Sequence, residues 1–416
     1  MTSNAASDIG PPWGWLAGAA LLGITVRLLF GLLYWTGHPL TRDEYEYLSL
    51  ARSLAAGHGF VYDEVMRSGS FVPFGRAPVY PAFLALIGAG SGVTDAVPAT
   101  IKVAQSLLGG VGVLLAGLMG YRLAGPRAAR GAAAVAALYP PLVWISAYVW
   151  SEALFWPVGL LVAWLFDRAS TRSTPSLALF GFSGLVTGGA ILIRPALLLF
   201  LPLAAVYLLA RRRPAGLAVL AVGIAVVLGP WTLRNHRQHG RWMLVASDGG
   251  VTFWTGNHPL AIGEGDMAAN VDLKFANQRL RAEHPGLTEE AMEPIYYREA
   301  LNWIRAHPFR WVELELRKLF YIVAPIGPSY TLHSARYYTA SWVSYGSVLL
   351  VALFGAWRLG SRLGQTPGLW MLTASAVLVC LVFFPQERFR IPIIDPALVI
   401  VAGSGLTAGR PRRGVL

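Results

Sequence analysis

Carboxylates and guanidiniums stand beside apolar runs at five places in this sequence, and their types set the chemistry open to them. Asp43 and Glu44 adjoin in "TRDEYEYLSL" (Thr41 to Leu50), where a carboxylate could take a proton from a nucleophile. Arg76 lies in "GRAPVYP", Glu152 in "WSEALF" and Arg194 in "IRP". Glu387, Arg388 and Arg390 crowd into "PQERFRIP". Ionisable groups at membrane depth are costly and tend to mark a functional cavity. Carboxylates with several arginines suit a reaction that deprotonates an acceptor while a phosphate departs. Blander readings stay open: Thr41 and Glu44 fit a capping box that starts a helix. Arg194, Arg388 and Arg390 fit side chains snorkelling to headgroups.

Other chemistries lack their signatures. No Walker loop, Rossmann fingerprint, HExxH or CxxC occurs, so ATP-driven transport and a thiol-bound metal are unsupported. His236, His239, His258 and Glu264 are metal-ligand types, but isolated polar-loop histidines are more often unliganded. No metal or other cofactor is expected. The single cysteine, Cys380, excludes an internal disulfide.

The elements that must position these groups are membrane helices. Of 416 residues, 55% are hydrophobic and only 13% charged, about half the charged fraction of a soluble domain. The expected fold class is an all-α polytopic membrane protein. About ten runs approach the length that spans roughly 30 Å of hydrocarbon. They are Trp13–Trp35, Ala99–Tyr121, Arg130–Ser146, Ala153–Phe166, Leu177–Ile193, Ala196–Ala210, Gly216–Leu233, Ser341–Trp357, Leu369–Phe384 and Pro392–Leu406. The N-terminal stretch has no basic n-region or small-residue cleavage site, so the first run reads as an uncleaved span.

Arginines in the short loops orient the bundle. Arg122, Arg127, Arg130, Arg168, Arg172, Arg211, Arg212, Arg213, Arg358, Arg362, Arg410, Arg412 and Arg413 all fall on one side, together with the N-terminus. The positive-inside rule makes that side cytoplasmic. The excess of 34 Lys+Arg over 22 Asp+Glu is then loop charge, with no call for nucleic acid. The polar segments 36–98 and 234–340 face outward, as do Glu152, Arg194 and "PQERFR". Three regions follow: residues 1–233 as a transmembrane module, 234–340 as a second outer loop, and 341–416 as C-terminal helices.

Within the first loop, Tyr47, Leu50, Ala51 and Leu54 recur at helical spacing, predicting a helix over Asp43–Ala56. Pro78–Ala89 is a second helix, too short to span. Gly57, Gly59, Gly69 and Gly75 loosen the stretch between. In the larger loop "SDGGVTFWTGNHP" (Ser247 to Pro259) reads as turns and aromatics, followed by helices over Thr288–Ala306 and Pro308–Val323. The charges of "ELELRKL" make the last an interfacial helix.

Read in order, these motifs resemble a known family. "DEYEYLSLARSL" looks like the first-loop DE-x-x-Y motif of polyprenyl-phosphate-sugar-dependent glycosyltransferases of GT-C fold. That group includes dolichyl-phosphate-mannose protein mannosyltransferases and bacterial aminoarabinose-lipid A transferases. "RAPVYPAFLAL", "SEALF", "IRP", "GGVTFWTGNHP" and "ERFRIP" resemble further elements of the bacterial relatives, in the same order.

The resemblance implies an inverting transfer with a polyprenyl-phosphate sugar as donor and an envelope glycan, lipid or protein as acceptor. Asp43 matches the family's catalytic base, and Glu44 would cap its helix or orient the acceptor. Arg388 and Arg390 become candidates for the lipid phosphate, supported by Arg194 and Arg76. Glu152, Glu387, Tyr47, Asn257 and His258 complete the expected substrate contacts, although packing is the more usual job for Tyr47. The stretch Gly75-Arg76-Ala77-Pro78 lacks the acid that precedes the basic-proline signature of the aminoarabinose enzymes, which weakens transfer of a metal site. The chain lacks room for the added outer domain of protein mannosyltransferases, so protein O-mannosylation is not implied. Two other readings stay open: a transporter or flippase without covalent chemistry, and a sugar-lipid binder that does not turn over. The expected home is a plasma (inner) membrane, with both termini cytoplasmic and the site facing out.

Overall fold

The computed structural model describes residues 10–63, 76–89, 95–171, 176–265, 267–324, 326–327 and 334–409. Gly69, Gly75, Arg172, Arg410, Arg412 and Arg413 lie outside the described residues.

Among the described residues the regular elements are helical. α1 (Trp13–Leu29) runs into a π-helical turn at Phe30–Tyr34, then α2 (Arg42–Ala55) and α3 (Val79–Leu86) form the first loop. α4 covers Ala99–Leu138 but is two antiparallel limbs, broken at Ala124 and Gly125. Gly125 takes φ 80°, a left-handed conformation open to glycine, and Pro126 restarts the helix. The short α5 (Pro140–Trp144) leads to α6 (Ser151–Ser170), α7 (Leu177–Ile191), α8 (Phe200–Ala210) and α9 (Pro214–His239). In the second loop lie α10 (Gly249–Gly256), α11 (Val271–Ala282), α12 (Glu289–Ala306) and α13 (Pro308–Val323). α14 (Ala335–Leu359), α15 (Pro367–Val382), α16 (Glu387–Arg390) and α17 (Ile394–Thr407) complete the order.

Among the described residues, five helices are long and apolar enough to cross a membrane: Trp13–Tyr34, Ala99–Leu138, Ser151–Ser170, Pro214–His239 and Ala335–Gln365. Four shorter apolar helices, Leu177–Ile191, Pro195–Ala210, Pro367–Val382 and Ile394–Thr407, accompany them. With the two limbs of Ala99–Leu138 counted apart, these correspond to the runs expected from the sequence. The core sits where α4 packs against α1, α6 and α17, with α7 on α6 and α9 on α7.

The second loop departs from expectation in two places, one of them the helix α11 (Val271–Ala282), where none was expected. "SDGGVTFWTGNHP" contains the helix α10 where turns were expected. Local glycines disfavour a helix, but Trp254 is buried with Met292 and Tyr296 of α12 and Leu273 of α11. That tertiary burial outweighs the local preference. α13 leaves Phe309, Leu316 and Phe320 exposed while Leu314, Lys318 and Ile322 are buried, which suits a helix lying in a membrane interface.

The two ends of the bundle carry different chemistry. Arg122 Nη2 donates to Thr171 Oγ1 at 2.8 Å, and Arg213 Nη1 to the Ser170 carbonyl at 2.6 Å. At about 1.5 Å per residue, these lie one α6 length from Ser151 and Glu152, which face the first loop.

Candidate active site

The start of α2 is fixed from within its own sequence. Thr41 and Glu44 form the capping box expected of them: Glu44 Oε2 accepts from Thr41 N at 2.7 Å and from Thr41 Oγ1 at 2.9 Å. Glu44 Oε1 accepts from Val149 N at 2.8 Å, tying α2 to the entrance of α6. Glu44 is buried, and both its oxygens are engaged in holding the helix. Its neighbour Asp43 points elsewhere, as adjacent helix positions must.

Asp43 meets two arginines distant in sequence. Arg76 Nη2 lies 2.5 Å from Oδ1 and Arg388 Nη1 lies 2.6 Å from Oδ2. Arg76 also holds Glu46 through Nε at 2.7 Å, and its guanidinium covers the Tyr47 ring. Arg194 Nη1 lies 2.6 Å from Glu152 Oε1 and donates to Ser151 Oγ at 3.0 Å. Arg388 Nε, which has no hydrogen-bond partner among the described residues, faces the same Glu152 oxygen at 3.5 Å. Tyr47 Oη donates to Ser151 Oγ at 3.2 Å and its ring meets Tyr80 edge-on. One polar cluster thus joins α2, α3, α6, the α7–α8 connection and α16.

Burial alone would raise the Asp43 carboxyl, but the guanidiniums of Arg76 and Arg388 outweigh it and hold the group well below the usual carboxylate range. Asp248 behaves oppositely. It occupies the N-cap position of α10 without capping it. Burial pushes its carboxyl up, Arg76 opposes, and Glu46 and Asp43 add to the rise.

The expected residues divide into three places. Asp43, Arg76, Glu152, Arg194, Arg388 and Tyr47 come together as described. Glu387 and Arg390 form a neighbouring knot on the other side of α16. There Arg390 Nε donates to Asp395 Oδ1 at 2.9 Å, and its guanidinium lies 3.4 Å over the Tyr345 ring. Tyr139 Oη donates to Asp395 Oδ2 at 2.8 Å, and Glu387 accepts from Ser341 Oγ and Tyr337 Oη. Asn257 is buried away from both. Its Oδ1 accepts from Trp311 Nε1 and Lys318 Nζ, each at 3.1 Å, and its Nδ2 donates to the Phe253 and Val382 carbonyls. It ties α10 to α13 and α15. His258 accepts from Leu260 N at 3.1 Å and packs beside Trp254. Burial, helped by Arg279, lowers its imidazole to about 4.

Sequence reasoning missed Glu46, Ser151 and Asp248. Glu46 was within reach, since it falls three residues after Asp43 on the same helical face. Asp248 carried only a turn signal before two glycines. Among the described residues no three His, Cys, Asp or Glu side chains gather as a metal site.

Solved structures resemble this fold over most of the chain. The Archaeoglobus fulgidus oligosaccharyltransferase tethered with an acceptor peptide matches with a TM-score of 0.55 at 16% identity, over 94% of this chain and 49% of that one. The archaeal oligosaccharyltransferase AglB from the same organism, in complex with an inhibitory peptide and a dolichol-phosphate, matches at 0.51 and 16% identity, over 95% and 50%. The chain has the GT-C fold. It spans about half the length of those oligosaccharyltransferases. ArnT from Cupriavidus metallidurans bound to undecaprenyl phosphate, a GT-C enzyme, matches at 0.44 and 14% identity, over 95% of this chain and 78% of that one. No protein-family model and no curated protein matches the sequence.

Proposed function

We propose that this GT-C chain is an inverting membrane glycosyltransferase that moves a sugar from a polyprenyl-phosphate donor to an acceptor hydroxyl. The observation that carries the reading is the Asp43 carboxylate, clamped by Arg76 and Arg388 in a cluster that also holds Glu152 and Arg194. Dolichol-phosphate and undecaprenyl phosphate in the solved GT-C structures support a lipid-phosphate donor here.

The cluster accounts for the order of events. Of its three guanidiniums Arg388 is the most accessible, its side chain 28% exposed against 17% for Arg76 and 15% for Arg194. A donor phosphate reaching Arg388 gains a charge-assisted contact and competes directly with Asp43. Asp43 then loses one of the two cations that suppress its basicity, so the base is released as the donor arrives. The acceptor oxygen, giving its proton to Asp43, attacks the anomeric carbon. The bond from that carbon to the phosphate oxygen breaks with inversion, and Arg388 with Arg194 stabilises the departing lipid phosphate. Glu152 positions both arginines, and Glu44 positions Asp43.

The positive-inside assignment puts this cluster on the outer face of a plasma (inner) membrane, with both termini cytoplasmic. The deciding experiment presents purified full chain with a panel of synthetic polyprenyl-phosphate sugars and follows release of polyprenyl phosphate and transfer of label. Release and transfer lost in Asp43→Asn fit the reading. A full-rate Asp43→Asn enzyme removes Asp43 as the base. Release from no donor, together with uptake of a labelled solute, would replace the enzyme with a transporter.

A further inference from the structure

Glu46 lies one turn after Asp43 on α2, and its carboxylate meets the same guanidinium. Glu46 Oε2 stands 2.7 Å from both Nε and Nη2 of Arg76, while that Nη2 also reaches Asp43 Oδ1 at 2.5 Å. The other Glu46 oxygen lies 3.4 Å from Nε of the exposed Arg42. Arg76 also sits over the Tyr47 ring at 5.1 Å. The Tyr47 hydroxyl donates to Ser151 Oγ, so that ring is fixed to the start of α6. Glu46 and Tyr47 thus hold Arg76 from one side, and Asp43 holds it by a single nitrogen from the other.

Charges alternate along the whole cluster. Glu46, Arg76, Asp43, Arg388, Glu152 and Arg194 follow one another as carboxylate and guanidinium in turn. Of the three carboxylates Asp43 is the most accessible, its side chain 24% exposed against 9% for Glu46 and 2% for Glu152. It is therefore the one an acceptor can reach. Once a donor phosphate draws Arg388 away, Arg76 is the cation left on Asp43. A guanidinium that followed Asp43 would keep it a weak proton acceptor. A second carboxylate on the same guanidinium opposes this twice. It anchors Arg76, and its own negative charge favours a proton on Asp43.

We propose that Glu46 is a positioning residue for the transfer, holding Arg76 in place so that Asp43 can leave it to take the acceptor's proton. This role presupposes the glycosyltransferase reading with Asp43 as base, and deepens it. Other charged and titratable groups surround the pair. Arg76 also faces Tyr47 and Asp248, and Glu46 also faces Tyr62 and Asp248. Asp43 faces Arg76, Arg388 and Asp248. Among the described residues, Glu46 alone shares the Arg76 Nη2 with Asp43.

The test compares Glu46→Gln with wild type as purified full chains. Glutamine keeps an oxygen for Arg76 and drops the charge. The probe is a synthetic undecaprenyl-phosphate sugar that wild type turns over, with release of undecaprenyl phosphate followed from about pH 4 to 9. In Glu46→Gln, kcat should fall roughly three- to tenfold, and its acid limb should move to lower pH because Asp43 is the weaker base. The donor KM should not rise, since Glu46 does not touch Arg388. Glu46→Asp, which keeps the charge, should recover part of the rate and return the limb toward that of wild type. An unmoved limb overturns the role whether or not melting falls, because damage to packing does not retune Asp43. Wild-type release with an unchanged Glu46→Gln profile therefore sinks this role alone. Wild-type release from no donor overturns the glycosyltransferase reading, and this role with it.

Discussion

Arg388 Nη1 stands 2.6 Å from Asp43 Oδ2, so the proposed base is ion-paired to the residue proposed to receive the donor's phosphate. The pair joins α16 to the first turn of α2, elements more than three hundred residues apart in sequence. Substitution of Asp43 by asparagine keeps the shape but removes the proton acceptor. General-base catalysis contributes about 10²–10⁴-fold, and Asp43→Asn should lose transfer by that order. Donor binding, assayed separately with a non-transferable lipid-phosphate sugar, should persist or tighten because Arg388 no longer has a carboxylate to leave.

Arg388→Gln should affect the donor first, raising its KM while release also slows. A pH signature separates this from simple damage. The folded Asp43 carboxyl sits below its ordinary value of about 3.9, so its pairing adds stability that is present above that value and lost as pH falls through the folded one. Without Arg388 the folded value moves back toward the ordinary one. The acid loss of melting temperature then still begins near the ordinary value but is smaller and ends at higher pH. Melting curves between about pH 2 and 5 check this, and superimposable curves for the two proteins would contradict the coupling.

Glu44 and Asp43 should separate cleanly despite being adjacent. Glu44→Ala strands Thr41 N and Val149 N, both satisfied by its oxygens at 2.7 and 2.8 Å. Losing such a buried partner costs about 1–3 kcal/mol. The expected result is lowered melting and a partial fall in kcat, with the pH profile of the remaining activity unmoved. A Glu44→Ala enzyme as inactive as Asp43→Asn, yet melting like wild type, would give Glu44 a chemical role.

The spans and the capping box were legible because both are local: run length fixes the first, and Thr41 with Glu44 three residues on fixes the second. The pairing of residues was not. Arg388 and Arg390 share one short motif and looked equivalent, yet they point to different carboxylates, Asp43 and Asp395. Nothing in "PQERFRIP" tells which arginine faces which side of α16. Asn257 sat in a motif that resembled a substrate loop, and its amide is instead spent on Trp311, Lys318 and two carbonyls. Whether a polar side chain is free depends on elements that meet only in the fold.

Arg27 supplies the last prediction, one of stability without chemistry. It is a cation buried in α1 beside the second limb of α4. Its Nε donates to the Leu142 carbonyl at 3.1 Å, and Nη1 to the Gly23 carbonyl at 2.9 Å and the Ala137 carbonyl at 3.3 Å. Its Nη2 donates to the Ala136 carbonyl at 3.3 Å, and Trp156 lies under the guanidinium at 5.6 Å. The carbonyls of Ala136 and Ala137 end a helix, where in-helix donors run out. A cation there also suits the negative end of the helix dipole. Arg27→Met keeps the bulk, relieves the burial of a charge, and orphans those carbonyls. Each orphan costs about 1–3 kcal/mol, and relief of guanidinium desolvation offsets part of it, so a net loss of about 1–3 kcal/mol is expected. Turnover per folded molecule should match wild type, because Arg27 makes no contact with the Asp43 cluster. A variant that melts normally but releases no polyprenyl phosphate would instead move Arg27 into the reaction.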